Sequence, residues 1–258
     1  MSKPLILITN DDGIHSPGLR KLIKIANTFG KVVVVAPDGP RSAQSHAITL
    51  ETPIRCNRIV IDDGKQIEFS CSGTPVDCVK LALNKILDRK PDLCLSGINH
   101  GSNSSINVIY SGTVSAATEA AINEISSIGF SILDYSFNAD FLEAEPFINR
   151  IITKVLKSKY SNNLCLNVNI PKSISNQLIK GIKVCNQANA KWVEKFEERL
   201  DPMGKRYFWL KGDFIVNDSS KNCDENLLKD HYITIVPIKY DMTSYKEIED
   251  IQNIFKNE

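Results

Sequence analysis

Two continuous apolar runs restrict this chain's fold more than any other feature. Residues 4–9 read PLILIT and residues 31–37 read KVVVVAP. Neither alternates apolar with polar side chains, so each suits a strand covered on both faces rather than one with a wet side. Between them, NDDGIHSPG is punctuation. Ser16 precedes Pro17, a capping residue followed by the imino acid that a first helical turn tolerates. Leu19, Leu22, Ile23, Ile25 and Ala26 then recur at helical spacing toward a stop at Gly30. A buried strand, a helix and a second buried strand imply a parallel pair joined by a right-handed crossover.

The alternation continues. Residues 47–61 and 66–71 are rich in strand formers, and Thr74-Pro75-Val76-Asp77 opens a helix running to about residue 88. Residues 92–96 (DLCLS) are a further buried strand and 97–112 a polar loop. TVSAATEAAINEI is a helix, 127–133 a strand, about 140–157 a helix and 164–171 a strand. This order predicts a three-layer α/β domain with a mostly parallel sheet over 1–175. The remainder, 176–258, reads as a C-terminal extension. Residues 204–216 and 231–241 are strand-like and flank the polar stretch NDSSKNCDEN. They suggest an extended hairpin or small β appendage, followed by a short helix near 243–255, packing on the main domain or on another subunit.

Composition removes several functions. Lys+Arg number 31 and Asp+Glu 30, a net charge of +1, so there is no basic footprint for stable nucleic-acid binding. The first apolar run is far shorter than the ~20 residues of a membrane span, and no cleavable signal follows, so a cytoplasmic protein without a membrane partner is expected. The seven cysteines include no C-x-x-C pair and several lie in apolar runs, as buried free thiols do.

Ligands of open α/β sheets bind at the carboxyl ends of the strands, which selects three loops. Asn10-Asp11-Asp12-Gly13 places two adjacent carboxylates after the first strand; like charges this close need a compensating cation or donor, although a solvated Asp-Gly turn has the same residues. Residues 37–46 (PDGPRSAQSH) follow the second strand and offer Arg41, Ser42 and Ser45, or are simply a surface loop. Residues 96–112 carry Asn99, Asn103 and Asn107 and lead into Ser111-Gly112-Thr113 at a helix start, where free N–H groups and the helix dipole suit a phosphate. A phosphate beside Asp11 and Asp12 alone would be repelled, by about 4 kcal/mol per charge pair at about 4 Å and an effective dielectric near 20. A divalent cation reverses that sign. Carboxylate, amide and hydroxyl oxygens favour Mg²⁺ or Mn²⁺ over zinc. The four histidines show no metal-ligand spacing; His100 is the one beside a candidate loop.

ILITNDDGIHSPGLRKL, VVVVAPDGPRSAQSHAITL, SGTPVDCVKLAL and SGINHGSNSSINVIYSGTVSAATEAAI together resemble, in order and over roughly residues 4–125, the signature blocks of the survival protein SurE family of nucleotidases. The resemblance implies Rossmann-like topology. It implies a metal-dependent phosphatase of nucleoside 5′- and 3′-monophosphates, with short polyphosphate as a further substrate. It also implies dimers or tetramers that exchange a C-terminal β-arm. Carried over by position, one divalent ion falls on Asp11, Asp12, Ser42 and Asn99; Asn10 joins the two aspartates as a catalytic residue; and Asn103, Ser111, Gly112 and Thr113 line the phosphate pocket. Two other readings compete. A dehalogenase-type phosphatase spaces its acids D-x-D, unlike the adjacent pair here, and a dinucleotide-binding module carries a G-x-G-x-x-G fingerprint that is missing after the first strand.

Overall fold

A computed structural model describes residues 3–158, 163–174 and 177–256. The apolar runs form β1 (Leu5–Thr9) and β2 (Lys31–Pro37), parallel neighbours joined through α1 (Pro17–Ala26). Ser16 Oγ accepts the Leu19 N–H, with Pro17 in the first turn. β3 (Cys56–Ile59) and β4 (Ile67–Cys71) follow, then α2 (Pro75–Leu81), whose Thr74 and Asp77 close a reciprocal capping box. Next come β5 (Leu93–His100), α3 (Gly112–Ile122), β6 (Ser127–Ile132), α4 (Glu145–Lys157) and β7 (Cys165–Ile170). The chain ends with β8 (Gly181–Val184), β9 (Ala190–Leu200), β10 (Arg206–Val216), α5 (Asp224–Lys229), β11 (Tyr232–Ile238) and α6 (Ile248–Phe255).

Nine strands form one sheet in the order β3-β4-β2-β1-β5-β6-β7-β11-β8. Only β3 against β4 and β11 against β7 are antiparallel. Ile6, Ile8, Val32, Val34, Leu95 and Phe130 turn to the face covered by α1 and α4. Leu5, Leu7, Val33, Val35 and Cys94 turn to the face covered by α2 and α3. Coverage of both faces explains why β1 and β2 are apolar at every position. After β1 the chain winds outward to β2 and β4, then returns to place β5 on the other side of β1. The crevice between β1 and β5 is therefore the topological switch point.

The structure differs from the expectations in several places. Residues 47–55 are irregular, because part of the stretch is fastened to the start of α2, through Thr49 to Asp77 and Ala47 O to Thr74, instead of pairing in the sheet. The second helix gives way after Leu81 to a wider turn over Ala82–Ile86. α1 ends at Ala26, and Gly30 is where the Lys31 N–H reaches Pro4 O (2.8 Å). The loop expected from residue 97 begins later, since β5 pairs with β6 as far as His100, across an irregularity between Ser96 and Asn99. The hairpin is β9 with β10, in register over 190–216, not 204–216 with 231–241. β11 instead pairs with β7 and β8, so the main sheet continues past the 175/176 division. A short helix, α5, occupies much of the stretch read as a polar loop.

Candidate active site

The turn after β1 lies in the switch-point crevice. Asn10 is fully buried and its Nδ2 donates to Gly13 O (3.0 Å) and Ser16 Oγ (2.7 Å), tying the turn to the cap of α1. Gly13 has φ +97°, and a Cβ there would sit 3.1 Å from the Gly39 carbonyl carbon. A side chain would meet both strain and a collision. The turn is thereby held with Asp11 inward, 4% exposed, and Asp12 half-buried beside it.

The start of α3 closes on Asp11. Thr113 Oγ1 donates to Asp11 Oδ1. Ser111 Oγ caps the helix by accepting the Val114 N–H (3.0 Å). A Cβ on Gly112 would lie 2.9 Å from Asp11 Cβ and 3.0 Å from Oδ2, so only glycine admits this approach. The four alanines of α3 are buried, and Gly129 of β6 leaves room opposite Val114, so the helix lies close on the sheet. Two of the expected phosphate residues, Gly112 and Thr113, thus meet the acid turn directly, and the third, Ser111, caps the helix that carries them.

Ser42 comes from the loop after β2. The Arg41 N–H donates to Asp11 O (2.7 Å), which seats the exposed Ser42 one residue from the acid turn. Arg41 Nη2 reaches Ser72 O (3.0 Å) and Asp38 Oδ1 (3.2 Å), so its guanidinium braces the loop. Ser45 binds across to 109–110, through Oγ to Ile109 O (2.6 Å) and its N–H to Tyr110 O (3.2 Å). His46 Nε2 meets the buried Glu119 of α3 (2.9 Å), which also accepts from Lys80 (2.7 Å). Burial pushes the Glu119 carboxyl up, but these two partners outweigh it and hold it below its ordinary range.

From β5, the His100 N–H donates to Asp12 Oδ2 (3.1 Å), and the half-buried Asn99 gives its Nδ2 to Gly101 O (2.8 Å). Asn103 lies deeper: its N–H meets Asn169 Oδ1 (2.8 Å), its Nδ2 meets Ser131 Oγ (2.8 Å), and its carbonyl accepts from Asn167 (2.8 Å). Its side-chain amide therefore donates to β6.

Sequence reasoning missed the residues that fasten this loop. Asp224 is fully buried and accepts three N–H groups, from Ser105 (2.8 Å), Ala188 (2.9 Å) and Glu225 (2.8 Å). Glu225 accepts from Ser104 Oγ. The Asp-Glu pair at the start of α5 thus clamps residues 104–105, just ahead of Ser111. Its one trace in the sequence is two acids in a first helical turn.

Burial, and secondarily the Asp12 charge, push the Asp11 carboxyl up to about 6 against the opposing Thr113 hydrogen bonds. Burial also raises Asp12, opposed by the His100 N–H and charge. Thr9 Oγ1, Asn10 Oδ1, Ser96 Oγ and His100 Nε2 are buried there without a hydrogen-bond partner, and Thr9 and Ser96 are register partners. Two destabilised carboxylates beside orphaned oxygens fit an oxygen-loving cation. No group of three or more His, Cys, Asp or Glu able to hold a metal occurs among the described residues, so Ser and Asn oxygens must complete any such set.

The fold and this crevice define an α/β protein with an acid-lined cleft at the switch point of a doubly wound sheet. Comparison with known proteins narrows that class. The family model described as survival protein SurE matches residues 6–194. A protein of Flavobacterium psychrophilum named 5′-nucleotidase SurE is 54% identical over 253 residues, 98% of each chain. One of the same name from Christiangramia forsetii is 54% identical over 97% of this chain and 96% of its own. The crystal structure of a SurE protein from Aquifex aeolicus superposes with a TM-score of 0.82 at 36% identity, covering 97% of this chain and 99% of that one. The chain belongs to the survival protein SurE family.

Proposed function

We propose that this chain is a metal-dependent 5′-nucleotidase, a phosphomonoesterase that converts nucleoside 5′-monophosphates to nucleoside and phosphate, and that also accepts 3′-monophosphates and short polyphosphate. The relatives' shared name supports the first activity. The observation that carries the metal dependence is the pairing of buried Asp11 with half-buried Asp12, which is electrostatically unfavourable unless a cation joins it. Asp11, Asp12, Ser42 and Asn99 would hold one Mg²⁺ or Mn²⁺. When bound, such an ion polarises a phosphoryl oxygen and lowers the pKa of nearby water.

The other steps belong to the chain. The N-terminus of α3, with Gly112 and Thr113 at its first positions, draws the phosphoryl group toward Asp11 and shares its negative charge. Asn10 has spent its amide N–H groups on Gly13 and Ser16, leaving Oδ1 free to accept a hydrogen bond and so orient a water or hydroxyl in the crevice. Asn103 supports the pocket from beneath through Ser131 and β7. The clamp from Asp224 keeps the 104–111 segment in register with the acid turn.

Self-association as a dimer or tetramer through the β9–β10 arm belongs to the same proposal. Trp192, Phe196, Phe208, Trp209 and Leu210 stand exposed on it. All seven cysteines are free, which supports a cytoplasmic setting. No helix among the described residues is long and apolar enough to cross a membrane. The test is orthophosphate release from nucleoside 5′- and 3′-monophosphates and from short polyphosphate, with and without EDTA. Release abolished by EDTA and restored by Mg²⁺ or Mn²⁺ is expected; release indifferent to EDTA contradicts the metal dependence.

A further inference from the structure

Three thiols meet beneath the loop that carries Ser42, and nothing in the phosphatase reading uses them. Cys56 of β3 and Cys71 of β4 are direct partners in an antiparallel pair, with their side chains on one face. The Ser72 N–H donates to Arg55 O (2.8 Å), which makes 55 and 72 the hydrogen-bonded pair. Cys56 and Cys71 therefore occupy the adjoining non-hydrogen-bonded pair. Such partners have Cα atoms about 4.5 Å apart, inside the range of about 4.4–6.8 Å found across disulfides. Cys78 of α2 covers the same face.

We propose that Cys56 and Cys71 are a reversible dithiol, closed to a cross-strand disulfide by a hydroperoxide and reopened by a thiol. The neighbouring Cys78 thiol and the Gly73 N–H (3.4 Å) pull the Cys71 thiol down to about 7 despite its burial. Burial pushes Cys56 up to about 11, so Cys71 is the better nucleophile near neutral pH. β3 is the edge strand and has four residues, so local opening of this edge admits a water-sized oxidant to Cys71. Cys71 Sγ attacks one peroxide oxygen, the O–O bond breaks, and water leaves. Cys56 then loses its proton and its sulfur displaces the hydroxyl of the Cys71 sulfenic acid as a second water. Two thiols and one hydrogen peroxide give one disulfide and two waters.

The site is coupled to the phosphatase loop. Cys71 O accepts the Asp38 N–H (2.7 Å), and Ser72 O accepts from Arg41, whose own N–H holds Asp11. The test is alkylation and peptide mapping of the full chain after hydrogen peroxide treatment, then after a reducing thiol. The expected result is loss of two of the seven thiols. They should be recovered as a Cys56–Cys71 linked peptide that disappears on reduction, persists in Cys78→Ser and is missing in Cys56→Ser. Retention of all seven thiols, or a link from Cys71 to Cys78 in place of Cys56, overturns the proposal.

Discussion

The switch-point crevice and the β9–β10 arm break opposite rules. The crevice buries what should be wet: Asn10, Asp11, Asn103, Thr113 and Asp224 lie inside the molecule. The arm exposes what should be dry: Phe196, Phe208, Trp209 and Leu210 are each more than half exposed. Both are unfavourable for an isolated chain, and in both the missing partner can be read from the chemistry left over. Buried carboxylates with orphaned oxygens ask for a small hard cation. An arm that exposes large aromatic side chains among its charges asks for a surface to cover them.

If the crevice is built for an ion at the expense of the metal-free fold, removing its charge should divide activity from stability. Asp11→Asn should cut nucleotide hydrolysis by several kcal/mol, on the order of 10³-fold. The same variant should raise the melting temperature in EDTA. The sign follows from the Asp11 carboxyl, pushed up to about 6 in the fold from 3.8. A raised acid contributes stability that is present below about pH 4 and is lost as pH rises through about 6. At 1.4 kcal/mol per pH unit, the loss approaches roughly 3 kcal/mol in metal-free protein. Denaturant melts in EDTA at pH 4 and pH 7 measure it, and a flat profile would remove the crevice from the comparison.

The clamp behind the crevice should give the next largest effect. Asp224→Asn turns an amide toward at least one of three N–H groups, at a cost of about 1–3 kcal/mol. Melting should fall by several degrees. KM for the nucleotide should rise while Mn²⁺ affinity holds, because the acid turn is fastened separately through Asn10 and Gly13. Equal losses in both would make Asp224 a general fold residue. The smallest effect on chemistry belongs to the arm. Phe208→Ser with Trp209→Ser should lower the assembly mass in light scattering and leave activity per chain unchanged; unaltered mass would mean that the ribbon joins nothing.

The same contrast explains what could be read from the sequence. β1, β2 and α1 were legible because burial on two faces and one capping residue leave a local imprint. The acid turn was legible because adjacent aspartates after a buried strand need an explanation. β9 was not: AKWVEKFEERL mixes charges among its apolar residues and packs no core face, so it leaves no pattern of burial. β11 looked like a hairpin strand because its pairing with β7, more than sixty residues earlier, is a long-range choice that local pattern does not encode. Asp224 looked solvated because its three donors come from two distant segments and its own neighbour. For Asn10 and Asn103, only the structure shows that their amide donors are engaged within the fold.

In the proposed mechanism Asp11 and Asp12 matter as holders of an ion. Titrating metal-free wild type and Asp12→Asn with Mn²⁺, while following bound metal and phosphate release from a nucleoside 5′-monophosphate in the same samples, tests it most directly. In the wild type one ion per chain should bind and activity should rise along the same curve, with both lost in the variant. An Asp12→Asn protein that keeps full metal-dependent phosphate release would contradict the account.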